Sequence, residues 1–262
     1  MLDFIKRNHK LLYTLDGLLV LVISGFIYKA FIKTSEQDKS TEPASQPLHQ
    51  SQGTAPTSSN ITPQTSALKG IDVSHYQGEI QWLDVASQYH FAFIKATEGT
   101  HYIDPKYQEN IRGIISTDIL YGAYHFFSPD LDPIKQAEHF ISATANHNLI
   151  LPPVLDVEVE PSGSSHELRT AIKQWLTHVE KNTGCRPVLY TNKHFWNRHL
   201  NNNFENYPLW ISDYTTNEKA LTGIPWEFWQ YTEQGQVQGV SNPVDENRFY
   251  GDLATLNQLK CS

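Results

Sequence analysis

The sequence predicts an α/β fold, a β/α barrel over residues 70–262 whose second half is incomplete or irregular, preceded by a single transmembrane helix and a disordered linker. Three observations predict the barrel. Short runs rich in β-branched and aromatic residues alternate with helical stretches, the arrangement that yields a parallel sheet with crossover helices. After about Thr191 the helical stretches shorten and the apolar runs close up. The main rival, an open doubly wound sheet, would be marked by GxGxxG or GxxxxGK[ST]; neither is present, so no nucleotide cofactor is expected.

The elements follow in chain order. Residues 11–32 (LLYTLDGLLVLVISGFIYKAFI) are largely apolar, interrupted by Asp16 near one end and Lys29 near the other. As a helix this stretch reaches roughly 33 Å, enough to cross a bilayer core. Lys6, Arg7 and Lys10 precede it, which places the amino terminus in the cytoplasm and the head outside, in the periplasm or on the cell-wall side. A cleaved signal peptide is the rival, but Tyr28-Lys29-Ala30-Phe31 makes a poor cleavage site, so residues 1–33 are expected to be a retained signal anchor in the cytoplasmic membrane. Residues 34–69 contain 22 Ser, Thr, Pro or Gln and no aromatic residue, too little apolar surface to offset the entropy of ordering. They are expected to form a flexible tether.

In the head, strands are expected at 71–74, 91–96, 120–127, 153–159, 187–191, 209–214 and 227–231. Helices are expected over 104–116, 132–147 and 165–182, the first two with proline near the first turn, the third with Gly184 as its stop. The net charge of the whole chain is −8, but residues 1–33 hold five Lys and Arg against two Asp, so residues 70–262 carry −10. A head this acidic lacks the basic stripe that nucleic acid requires, and is expected to act as a monomer. HExxH and clustered His or Cys ligands are missing, so no metal is expected. Cys185 and Cys261 form either one disulfide, if the head is exported, or two free thiols.

The sharpest local feature is Val154-Leu155-Asp156-Val157-Glu158-Val159-Glu160. A two-residue period puts Asp156, Glu158 and Glu160 on one face. Carboxylates crowded in a partly dry site cannot all ionise, so one is left protonated near neutral pH, the pairing that glycoside hydrolysis uses. The plainer reading is an amphipathic strand with its acidic face in water. Asp72 sits within the first apolar strand; Asp245 follows Val244, and either acid can simply cap a turn or helix. Lys95 and Glu98 read as a surface ion pair, and His125, between Tyr124 and Phe126, as a satisfied core or rim residue. Tyr124, Tyr190, Trp210, Trp229 and Tyr231 read first as core, although aromatic faces with polar tips suit sugar rings.

Taken in order, GIDVSHYQG (70–78), FAFIKATEGT (91–100), YGAYHFF (121–127), PVLDVEVE (153–160), RPVLYTN (186–192), LWISDY (209–214), WEFWQYTEQGQVQGV (226–240) and VDENRF (244–249) closely resemble glycoside hydrolase family 25, the lysozymes or N-acetylmuramidases. The resemblance implies an irregular barrel with its site at the carboxyl ends of the strands. It also implies hydrolysis of the β-1,4 bond between N-acetylmuramic acid and N-acetylglucosamine in peptidoglycan glycan strands, without a cofactor. It makes Glu158 the general acid and Asp156 its partner, with Asp72 and Asp245 supporting charge and sugar position. Tyr124, Tyr190, Trp210 and Gln230 fall on its substrate-binding motifs. Glu246 stands where the family commonly has an apolar residue, which bears on the acidity of that corner. A non-catalytic glycan-binding module and a glycosidase for another N-acetylhexosamine polymer are the alternatives.

Overall fold

The computed structural model describes residues 67–201, 203–215 and 217–261. The expected membrane segment and all of the tether before Ala67 lie outside these residues. Among the described residues no helix is long and apolar enough to cross a membrane. Leu68 and Lys69, read from the sequence as the end of the tether, already belong to the first strand.

Nine strands make one sheet: β1 (Leu68–Val73), β2 (Phe91–Glu98), β3 (Tyr102–Ile103), β4 (Leu120–Phe126), β5 (Val154–Asp156), β6 (Val188–Asn192), β7 (Leu209–Ser212), β8 (Phe228–Gly235) and β9 (Val244–Phe249). Strands β1, β2 and β4 to β8 run parallel in that order. β9 lies antiparallel between β8 and β1 and closes the ring, while β3 folds back on the end of β2. The irregular barrel of the sequence reading is present, but it is not left incomplete. The closing strand β9 is not among the expected strands, because Asp245 and Asn247 occupy its inward positions and hide the usual apolar alternation.

Alternation builds two cores. Inside the barrel, Phe91, Phe93, Val154, Val188, Phe228 and Phe249 fill the lower half. Gly70 and Gly122 have no room for a side chain there: a Cβ at Gly122 would lie 2.8 Å from the Phe93 ring and 3.0 Å from the Pro152 carbonyl oxygen. Outside, Ile71, Ala92, Ile94, Leu155, Leu189 and Ile211 pack against Phe140, Trp175 and Leu176 of the helical layer.

The helices are α1 (Trp82–Ala86), α2 (Tyr107–Ile114), α3 (Pro133–Thr144), α4 (Ser165–Thr183), α5 (Lys193–Phe195, running into the π-helical turn Trp196–Leu200) and α6 (Leu253–Gln258). Asp132 caps α3, accepting from the amides of Ile134 and Lys135, and Pro133 supplies the first turn. α4 opens on a reciprocal box between Ser164 and Glu167 and stops at Gly184, whose φ of 71° is the left-handed conformation that favours glycine. After β6 the helices are short, as the sequence implies. Cys185, just before β6, is disulfide-bonded to Cys261 across 76 residues, which resolves the two alternatives left open for these cysteines. A loop of that size makes such a bond worth roughly 4 kcal/mol.

Candidate active site

At the carboxyl ends of the strands the inward positions turn polar and surround a cavity of about 320 Å³. All eight residues singled out in the sequence line it: Asp72 on β1, Tyr124 on β4, Asp156 on β5 with Glu158 just beyond, Tyr190 on β6, Trp210 on β7, Gln230 on β8 and Asp245 on β9.

The floor is a connected hydrogen-bond network. The hydroxyls of Tyr190 and Tyr214 both donate to Gln230 Oε1, at 2.9 Å each. Gln230 Nε2 and Asn247 Nδ2 donate to Asp72 Oδ2 at 3.0 and 2.7 Å, and Trp210 Nε1 donates to Asn247 Oδ1 at 2.8 Å. Gln230 and Trp210, expected to bind substrate, therefore spend their polar atoms within the protein. They are buried and position Asp72.

The acids divide into two pairs. Asp72 and Asp245 are cross-strand partners with their carboxyls in hydrogen-bonding reach. Burial pushes both above the ordinary carboxylate range; repulsion from Asp72 raises Asp245 further, while the two amide donors favour the Asp72 anion. The two carboxyls therefore titrate as a pair, with the amide donors favouring the anion on Asp72. Asp156 is buried, and its Oδ1 has no hydrogen-bond partner. Burial first, then the Glu158 charge, holds it well above its usual range. Glu158 stands at the cavity mouth, exposed to water yet closely surrounded by protein. Desolvation, then Asp72, pushes it up to about 7. Solvent access tempers that push, so its direction carries the argument.

Lys95 answers these charges. It was read as half of a surface ion pair; the pair with Glu98 exists, at 2.7 Å, but Lys95 itself is buried and lines the cavity. It shares the inward face with Phe91 and Phe93, its ammonium lies 4.8 Å from the Phe126 ring centroid, and it favours the anions of Asp156 and Glu158. Glu160 is not with Asp156 and Glu158: the chain leaves the sheet after Asp156, and Glu160 pairs with Arg198 and His199, each at 3.1 Å. Glu246 points out of the barrel, accepting from Tyr89 and Tyr231, so it leaves the acidity of the site alone. His125 is a satisfied core residue, bonded to Thr97 and Gln136, and burial pushes it down to about 3. Among the described residues no group of His, Cys, Asp and Glu is arranged to hold a metal ion.

The model of glycosyl hydrolases family 25 matches residues 71–240 of this chain. The chain belongs to glycosyl hydrolase family 25. YegX of Escherichia coli (strain K12) is 38% identical over 200 residues, 74% of each chain. Lysozyme M1 of Streptomyces globisporus is 37% identical over 229 residues, 81% of this chain and 78% of that one. The solved bacterial lysozyme of Streptomyces coelicolor is 38% identical, with a TM-score of 0.68 over 74% of this chain and 97% of that one. This family 25 hydrolase also places in its site residues that sequence reasoning passed over: Tyr214, Glu233 and Asn247. Asn247 was accessible through its two-residue spacing from Asp245. Nothing in the sequence signals Glu233, because its direction depends on an irregularity in β8.

Proposed function

We propose that this family 25 hydrolase cleaves the β-1,4 bond between N-acetylmuramic acid and N-acetylglucosamine in peptidoglycan, with Glu158 as general acid and Asp156 as its partner. The observation that carries the reading is the Asp156–Glu158 pair. One carboxyl is buried with an oxygen lacking any partner, and the other stands at the mouth with its proton held towards neutral pH. A sugar acetamido N–H is the donor that the unpaired Asp156 oxygen lacks. Its arrival, with Lys95 beside the pair, favours the Asp156 anion and leaves the proton on Glu158, where an incoming glycosidic oxygen can take it. The Asp156 anion then faces the positive charge that develops as the bond to the leaving oxygen breaks, and water completes the hydrolysis. Asp72, fixed by the amide network, keeps that side of the cavity negative. Tyr124 and Tyr214 offer ring faces to the sugar.

The full chain is expected to release reducing ends from purified peptidoglycan, with product masses set by muramic-acid ends. Glu158→Gln is expected to lose at least a hundredfold in rate while its thermal unfolding is preserved. Full activity in that variant would remove Glu158 from the acid's role, and products from chitin oligomers alone would redirect the substrate. The cellular setting is part of the same proposal: residues 11–32 anchor the enzyme and hold its head outside the cytoplasmic membrane. The Cys185–Cys261 disulfide supports this, since such bonds persist in oxidising compartments. Intact mass from membrane fractions checks it; a chain starting near residue 30 would overturn the anchor.

A further inference from the structure

β8 contains two register irregularities that change which way its side chains point. Gln230 pairs with Asn247, and both face inward onto Asp72. Simple alternation would then turn Thr232 inward and Glu233 outward. Instead Thr232 pairs with Glu246, two residues of β8 being spent against one of β9, so Tyr231 and Thr232 both lie on the outer side with Glu246. Glu233 is thereby turned inward, where it lines the cavity. A second irregularity lies between Thr232 and Gly235, and Gly235 leaves no room for a side chain: a Cβ there would sit 2.6 Å from both the Val244 carbonyl oxygen and Glu246 Oε1. The bulged path is therefore built into the packing of β8 on β9.

The other charges facing Glu158 are each committed. On β1 and β9, Asp72 is held by two amides and Asp245 is its cross-strand partner. On β2, Lys95 is paired with Glu98, and on β5, Asp156 is buried. The tyrosines on β4, β6 and the loop after β7 (Tyr124, Tyr190, Tyr214) have hydroxyls pushed above their usual range, first by burial, and stay neutral. Glu233 is exposed to water and makes no ion pair or hydrogen bond among the described residues, while sharing a cavity with Glu158.

We propose that Glu233 is a positioning residue for this site: its carboxylate, turned into the cavity by the β8 bulge, acts across the mouth on Glu158 and sets how far towards alkaline pH the enzyme works. Its negative charge opposes ionisation of Glu158, and raises Asp245 in the same way. The inference rests on Glu158 being the acid.

The test uses the full chain as wild type, Glu233→Gln and Glu233→Asp. The pH profile of kcat/KM on peptidoglycan is measured together with the titration midpoint of the Glu158 side-chain carboxyl by 13C NMR. In Glu233→Gln the alkaline limb and the midpoint are expected to move to lower pH by about half a unit, the size expected for one charge screened across a wet cavity; Glu233→Asp restores both. A purely structural role would scale the rate and leave limb and midpoint in place, and that result overturns the proposal. Activity in Glu158→Gln would overturn the acid assignment, and with it the pH limit. An unmoved NMR midpoint overturns the action of Glu233 whatever the acid is.

Discussion

Gln230 joins two tyrosine hydroxyls to a carboxylate, and its neighbours permit only one orientation of its amide. Tyr190 and Tyr214 donate to the oxygen, which leaves the nitrogen to donate to Asp72. Turned round, the amide would set an oxygen against the Asp72 carboxylate. Because Gln230, Tyr190 and Asp72 are all buried, a side chain that neither accepts nor donates strands groups that water cannot easily reach. Gln230→Leu, close in volume, is therefore expected to cost about 2–4 kcal/mol in urea unfolding, and to reduce turnover by freeing Asp72 from one of its two donors. A stability within about 0.5 kcal/mol of wild type would mean that the network is not closed in solution. The same reasoning separates Gln230 and Trp210, whose polar atoms are occupied, from Tyr124, whose hydroxyl makes no hydrogen bond among the described residues and faces the cavity. The first two build the site; in the proposed reading it is Tyr124 that meets the sugar.

The segment between β5 and α4 carries Glu158 just past its last ties to β6, the Val157 N–H donating to the Tyr190 carbonyl at 2.9 Å and the Thr191 hydroxyl to the Val157 carbonyl at 2.6 Å, so from Glu158 onward its position depends on side-chain ties. Glu160 reaches Arg198 and His199 on one side, and Ser162 bonds to Asp130 on the other, before Ser164 caps α4. Exposed ion pairs contribute little to global stability, whereas small displacements of a proton donor are costly to rate. Glu160→Ala is accordingly expected to unfold within about 0.5 kcal/mol of wild type while losing roughly tenfold in kcat. Equal kcat in the two would show that the ties to α5 and its following turn do not hold the loop. This segment also marks where reading by period stops working. Alternation placed Asp156 and Glu158 together correctly, but extending it to Glu160 assumed a strand that ends at Asp156. β9 failed in the opposite way: its inward Asp245 and Asn247 line up with the site, so its pattern lacks the apolar alternation of a strand. The seven parallel strands were legible because their outward faces bury against helices. The direction of Glu233 was not, since a bulge leaves no trace in residue type.

Across the whole molecule, the −10 carried by residues 70–262 is not spread evenly, because Asp72, Asp156, Glu158, Asp245 and Glu233 share one cavity with a single lysine. The first four are held above their ordinary range, chiefly by burial, so folding raises their proton affinity. A carboxyl whose folded-state value is raised binds more protons in the native than in the unfolded state between its two values. Stability therefore falls as pH rises through that interval, which for Glu158 runs from 4.5 to about 7. Asp130, Glu167 and Asp252 are lowered by hydrogen bonds and work the other way, losing their contribution as pH falls through the acid range. They are exposed and weigh little above about pH 5; buried His125, kept neutral in the fold, opposes the decline up to 6.5 but is one group against four, so the buried acids dominate from about pH 5 to pH 8. The melting temperature of the full chain is expected to decline from about pH 5 to pH 8, the reverse of a protein whose carboxylates are mostly paired. Asp245→Asn, which keeps a donor for Asp72 and removes a buried ionisable group, is expected to flatten that decline and to melt higher than wild type at pH 8, at the expense of activity. Calorimetry of the two proteins across this range decides the matter. A wild-type melting temperature that rises with pH, or an Asp245→Asn slope equal to the wild type's, would mean that the cavity is wet enough to leave these acids ionised, and the charge stored in the site would then have no part in limiting the stability of the fold.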